Sequence, residues 1–342
     1  TPYRMYHGVE HLASTVIALG PGNELMEGSM YENLLGVSSH ELYHAWNIKA
    51  IRPIEMYPYD FTQANYSRLG FVAEGVTTYM GDLMLLRSGV FSWDQFLTTQ
   101  HQNLKKHFDN FGRFELSVAE SSFDTWLDGY QMGAPERKVS IYTEGALAMF
   151  CLDVSILFQS NGSKDLQSLM KSLYQDFGIQ GKGYSEVDFR EKVRLFAGVE
   201  GEEILDQLVY GVSDFSPYLN KAFNRLGLEL VEEENPHPFE GGLGFKALLS
   251  TGVEVVDRVY PGGPADLAGL RPGDEILGEV SAVKDKAKKE EAFLLKWKDK
   301  FEEKSASIFP DFKSYPLKKI QKQTSPNAGQ RDLFKAWSKR EF

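Results

Sequence analysis

The chain has 342 residues, enough for two domains and a sizeable core. It carries 37 Lys and Arg against 48 Asp and Glu, a formal net charge of −11, which argues against nucleic acid or an anionic membrane surface as partner because both reward clustered positive charge. With 42% hydrophobic and 25% charged residues it reads as a soluble globular chain; its one cysteine, Cys151, excludes a disulfide framework without separating cytoplasm from bacterial periplasm.

The opening TPYRMYHGVE has no initiator Met, no basic segment and no apolar segment of a leader, and reads as a processed product or a fragment. Helical periodicity then dominates residues 35 to 226. The stretch VSSHELYHAWNIKAIRP, residues 37 to 53, reads as a helix that stops at a proline. Residues 50 to 67, rich in Pro, Tyr and Asp, read as a loop. Leu69, Val72, Val76, Tyr79, Leu83 and Leu86 recur three or four residues apart, and Gly89 stands where a C-cap belongs. Ala146, Leu147, Phe150, Cys151, Val154, Leu157 and Phe158 make a second stripe. Its core, ALAMFCLDVSILF, is interrupted by Asp153 and reads as a buried helix, too short for a bilayer span. A further helix starts at Ser185, where S-E-V-D resembles a capping box.

The texture changes at ENPHPFEGG, residues 234 to 242, whose prolines and glycines mark a linker. Beyond it, GVEVVDRVYPGGPADLAGLRPGDEILG is β-branched and turn-rich, as expected of a small strand-rich domain. Residues 281 to 304 are rich in Lys and Glu and read as a solvated face or mobile loop.

The chemistry concentrates in HELYH. Residues four apart share a helix face, so His40 and His44 can aim ring nitrogens at one point at the ~2.0–2.1 Å that zinc requires. Glu41 is placed to act as base toward a water at the same ion. On these five residues alone, a helix with two satisfied histidines remains an equal alternative. A catalytic zinc needs a third protein ligand, and Glu74 in FVAEGVTTYMGDL offers one, since its neighbours are apolar or small. The competing reading of Glu74 is a surface glutamate favoured by a helix N-terminus.

HELYHAWNIKAIRP followed by AEGVTTYMGDLMLLRSG resembles the M61 glycyl aminopeptidases, gluzincin zinc peptidases whose pattern is H-E-x-x-H-x-W-N-x-K-x-x-R-P with a downstream E-G-x-T-x-Y segment. The match runs through His40, Glu41, His44, Trp46, Asn47, Lys49, Arg52 and Pro53, then Glu74, Gly75, Thr77 and Tyr79. The resemblance implies one zinc ion held by His40, His44 and Glu74, with Glu41 as base. GVEHLAST, residues 8 to 15, is similar to the family's G-x-E-H-x-x-S-T segment; this implies that Glu10, with His11 beside it, binds the substrate's free α-amine. SIYTEGALA resembles Y-x-K-G-A, whose tyrosine steadies the transition state, which points to Tyr142. The chain departs from the family at Glu144, where Lys is usual, at Ala50, where Arg is frequent, and at GFVAEG, where the entry is usually aromatic.

GGLGF, residues 241 to 245, with PGGPADLAGLRPGDEIL resembles a PDZ domain, which these enzymes commonly carry. Backbone N–H groups around Leu243, Gly244 and Phe245 would form a nest for a peptide's terminal carboxylate, the two side chains lining an apolar pocket. After Gly278 the pattern fails, so a PDZ fold used only for packing is an equal expectation. YPLKKI and LFKAWS look like the family's tail.

The expected fold class is therefore α+β: a mainly helical, thermolysin-like catalytic domain over 1–233, a PDZ-like domain over 234–316, and a tail over 317–342 packing back on the catalytic domain. The expected function is zinc-dependent removal of small N-terminal residues, Gly or Ala, from peptides with a free N-terminus. The alternatives are a non-catalytic scaffold binding C-terminal peptides at the PDZ-like domain, and a zinc endopeptidase.

Overall fold

The computed structural model describes residues 1–128, 137–250, 252–289 and 291–342. It divides into two compact units, one of Thr1–Leu230 with Ile320–Phe342 and one of Val231–Lys319. Helices and small antiparallel sheets make it a mixed α+β chain. Among the described residues, no helix is long and apolar enough to cross a membrane.

The first unit is helical because its apolar residues recur at helical spacing and its ends are capped. Helix Glu186–Ile204 starts from Ser185, whose side chain accepts from the Asp188 N–H in a capping box. The stripe from Leu69 to Leu86 becomes a widened π-helical turn, Phe71–Val76, running into helix Thr77–Ser88, which Gly89 ends at a left-handed φ of 87°. Helix Thr143–Gln159 is buried from Thr143 to Leu157 and forms the spine of the core. Asp153, the charge inside it, accepts from the Tyr79 hydroxyl at 2.5 Å and the Leu166 N–H at 2.6 Å. Tyr79 in turn accepts from the Trp337 indole N–H at 2.8 Å, so helix Ala328–Ser338 at the chain's end packs into this same core.

Two close backbone approaches position the site. A Cβ on Gly75 would lie 2.6 Å from the Gly145 Cα, and one on Gly145 would lie 2.8 Å from the Gly75 Cα. Only paired glycines let the Phe71–Val76 turn rest directly on helix Thr143–Gln159. Gly81 likewise brings helix Thr77–Ser88 against the His40 backbone of helix Met30–Tyr43, and the Ser39 hydroxyl donates to the Gly81 carbonyl at 2.8 Å. The strands His7–Glu10 and Thr15–Ala18 form an antiparallel hairpin pairing Gly8 with Ile17 and Glu10 with Thr15.

The second unit is a five-stranded antiparallel sheet in sequential order: Phe245–Ser250, Val253–Val259, Glu275–Ile276, Phe293–Lys298 and Glu303–Ile308. Two of its findings correct the sequence reading. Residues 281–304 are not simply a solvated face or loop: they include most of helix Val280–Ala287 and strand Phe293–Lys298, where Leu295 and Trp297 are buried while the alternating Lys296 and Lys298 are exposed. Leu243 and Phe245 do not line an open pocket. Both are completely buried, with the Phe245 ring stacked on Phe239 at 4.6 Å between centroids.

Candidate metal centre

Helix Met30–Tyr43 carries His40 and Glu41 in its last turn and ends on His44. The i, i+4 spacing brings the two imidazole Nε2 atoms to 3.0 Å of one another. The adjoining Phe71–Val76 turn presents Glu74, whose Oε2 lies 3.3 Å from His40 Nε2 and 3.4 Å from His44 Nε2. That oxygen is buried and makes no hydrogen bond. Three basic atoms facing one point repel unless a proton or cation stands between them.

A metal ion fits this donor set. Zinc with N and O ligands at ~2.0–2.2 Å has tetrahedral edges of about 3.3–3.6 Å, close to the spacings found here. The outer contacts agree. His44 Nδ1 donates to the Asn47 carbonyl at 2.8 Å, which keeps the proton off Nε2 and turns its lone pair toward Glu74. Without the ion the three groups share charge among themselves. Burial pulls Glu74 upward, but the two imidazoles outweigh it and hold its pKa down at about 2. Burial pulls His44 down, yet Glu74 and the Asn47 carbonyl leave it raised.

Glu41 lies beside the three, also buried. Burial raises its pKa against the opposing pull of His40 and His44. It occupies space that Gly8 leaves open, for a Cβ at position 8 would come within 2.2 Å of Glu41 Oε1. The hairpin that supplies Gly8 also supplies Glu10, which has a carboxylate oxygen within 4.8 Å of ligand atoms of Glu41 and His44. Lys49 Nζ contacts Glu10 Oε1 at 3.1 Å. Tyr142, just before helix Thr143–Gln159, stacks its ring on His40 with centroids 6.1 Å apart.

Six of the residues singled out from sequence thus fall in one place: Glu10, His40, Glu41, His44, Glu74 and Tyr142. His11 does not join them as a buried group; it sits exposed in the hairpin turn, its N–H bonded to the Ser14 carbonyl. Leu243, Gly244 and Phe245 belong to the second unit. Glu144 is turned away into the core, where His107 Nδ1 meets its Oε2 at 2.5 Å.

Sequence reasoning gave no role to Asn47, Thr77, Lys49 or Gly8. For Asn47 there was a usable signal, because a polar side chain among buried ligands must find partners.

Residues 33–148 match the model of the M61 glycyl aminopeptidase family. No curated protein matches the chain. Among solved structures, it is similar to an aminopeptidase N family protein from Idiomarina loihiensis, at 24% identity and a TM-score of 0.85. The similarity covers 98% of this chain and 60% of that one, so this chain spans about three fifths of its neighbour, and the likeness is one of fold. M61 peptidases are metallopeptidases, in keeping with a cluster here that could hold a metal ion. Residues 33–148, which include His40, Glu41, His44, Glu74 and Tyr142, are thus similar to the M61 glycyl aminopeptidase family.

Proposed function

We propose that the chain is a zinc-dependent aminopeptidase that hydrolyses the first peptide bond of short peptides, with small N-terminal residues such as Gly or Ala favoured. The observation that carries this reading is the convergence of two Nε2 atoms and a buried carboxylate oxygen within 3.4 Å, with a second buried carboxylate beside them. His40, His44 and Glu74 hold the ion. Zinc, when bound, supplies a Lewis acid for the scissile carbonyl and makes water easier to deprotonate.

The remaining steps belong to the protein's own groups. Glu41 accepts the proton of the attacking water, a role suited to a carboxylate whose pKa burial has raised. Tyr142 donates its hydroxyl to the oxyanion that develops on the carbonyl. Glu10 takes the substrate's α-ammonium; Lys49 contacts its Oε1, and a carboxylate has capacity for further donors. An anion at this place fixes the distance between the cationic amine and the bond to be cut.

In our reading residues 1–233 and 317–342 form the catalytic domain with its tail, and 234–316 a PDZ-like domain. A five-stranded antiparallel sheet and the left-handed Gly244, at φ 73°, support the latter. Since Leu243 and Phe245 are committed to the core, a C-terminal peptide there would depend on the loop's backbone.

Metal analysis together with free and N-acetylated aminoacyl substrates tests the whole reading. Stoichiometric zinc with cleavage confined to free amines is expected. Efficient cleavage of N-acetylated or internal bonds makes the protein an endopeptidase, and absence of both zinc and hydrolysis makes it a scaffold.

A further inference from the structure

We propose that Asn47 is a positioning residue that holds the two ligand-bearing segments in metal-binding register. The inference rests on the zinc reading of His40, His44 and Glu74. Asn47 is completely buried three residues beyond His44, just past the end of helix Met30–Tyr43. Its Nδ2 lies 2.7 Å from the Val72 carbonyl, 3.2 Å from the Ala73 carbonyl and 3.1 Å from Thr77 Oγ1. These acceptors bracket Glu74 in sequence on both sides. The widened turn that carries Glu74 shifts its carbonyls off the regular helical ladder, and Asn47 provides them with a donor.

The same residue reaches the other ligand. Its backbone carbonyl accepts the His44 Nδ1 proton at 2.8 Å. One residue is therefore bonded to the imidazole from the first helix and to the turn that carries the third ligand. A shift of either segment disturbs both contacts, so neither ligand moves independently. The turn that aims Asn47 inward is itself conformationally costly: Ile48, a β-branched residue, sits at φ 133°. It is followed by Lys49, whose N–H returns to the His44 carbonyl at 3.1 Å. Thr77 completes the lock, with its hydroxyl donating to the Ala73 carbonyl at 2.6 Å.

A residue that merely fills space would affect stability and leave metal affinity alone. A positioning residue affects the metal even when the apoprotein stays folded. The experiment measures zinc Kd by competition with a chromogenic chelator, alongside the thermal midpoint of the apoprotein and the visible spectrum of the cobalt-substituted protein. Asn47→Ala is expected to weaken zinc binding by about 10–100-fold and to alter the cobalt spectrum. Thr77→Val should weaken zinc in the same direction by several-fold. Val76→Ala, in the same turn and completely buried but without a polar link to either ligand, should lower the apo midpoint and keep Kd within about twofold. A wild-type Kd and cobalt spectrum in Asn47→Ala, with only the midpoint lowered, would overturn the proposal. If Asn47→Ala does not fold, Thr77→Val decides alone, and an unchanged Kd in it counts against the lock. A wild-type protein that takes up no zinc sinks the metal reading itself, a different failure from a zinc protein indifferent to Asn47.

Discussion

Asp153 and Glu74 are both carboxylates of the first unit, and they are supported in opposite ways. Asp153 has a donor for each oxygen, the Tyr79 hydroxyl and the Leu166 N–H, and it stays fixed in the core behind the site. Glu74 presents a buried Oε2 to two imidazole nitrogens and gains no hydrogen bond. Their pKa values diverge accordingly. Burial pushes Asp153 up to about 6, against the opposing pull of Arg87, while the imidazoles outweigh burial at Glu74 and hold it at about 2. The first arrangement is complete without a ligand. On the proposed reading the second is completed by a cation, and the contrast then separates a buried charge that serves structure from one that serves chemistry.

Substitutions on the two sides should therefore differ in kind. The largest effect is expected at Glu41: Glu41→Gln should keep the metal and lower hydrolysis by about 10²–10⁴-fold, because it removes the base and leaves the ligands. Metal loss in that variant, or near-normal turnover, would give Glu41 another role. Next comes Tyr142→Phe, expected to lower kcat by about 10²–10³-fold with KM little changed, since the hydroxyl acts on the transition state. A normal kcat would return Tyr142 to the role of an aromatic packed on His40.

Glu10→Ala should cost less. A charge-assisted hydrogen bond is worth about 1.5–3 kcal/mol, so kcat/KM for free-amine substrates falls by roughly one to two orders of magnitude. N-acetylation of the substrate should do the same to the unaltered enzyme. Equal loss on internal peptide bonds would show that Glu10 acts through the fold, not through the amine.

Asp153 is the contrasting case, with little expected change in kcat. Its folded pKa, about 6, stands above the ordinary aspartate value of 3.8, so between those values the folded state binds the extra proton. The contribution is present below about pH 4 and is lost as pH rises through about 6, amounting to at most about 3 kcal/mol. Asp153→Asn should flatten that slope in denaturant titrations from pH 4 to 7. An unchanged slope would mean that Asp153 stays ionised in the folded protein across this range.

The readable part of the site was the part written in short-range spacing. His40 and His44 meet because helical residues four apart share a face, and Glu74 stood out as a charge among apolar neighbours. Glu10 and Tyr142 depended on a long motif resemblance, because a strand glutamate or a helix-head tyrosine has no distinctive spacing. What escaped was set by three-dimensional approach. Nothing local indicates that the Glu74 turn is π-helical, that Gly75 and Gly145 touch, or that Lys49 reaches back to Glu10. Glu144 stood out only as a departure from the family's usual Lys, because the chain alone does not place His107 against it. In the second unit, dense Lys and Glu hid the alternation of Leu295 and Trp297. The glycine loop gave away its turn at Gly244 but not the burial of its neighbours.

The most direct test of the central claim is zinc titration of the metal-free protein beside Glu74→Ala, read by equilibrium dialysis with metal analysis. One tightly bound zinc per chain in the wild type is predicted, with severe loss of affinity in the variant, because the oxygen left without a hydrogen bond is the one that holds the ion. Stoichiometric, tight zinc retained by Glu74→Ala, or none bound by the wild type, would contradict it.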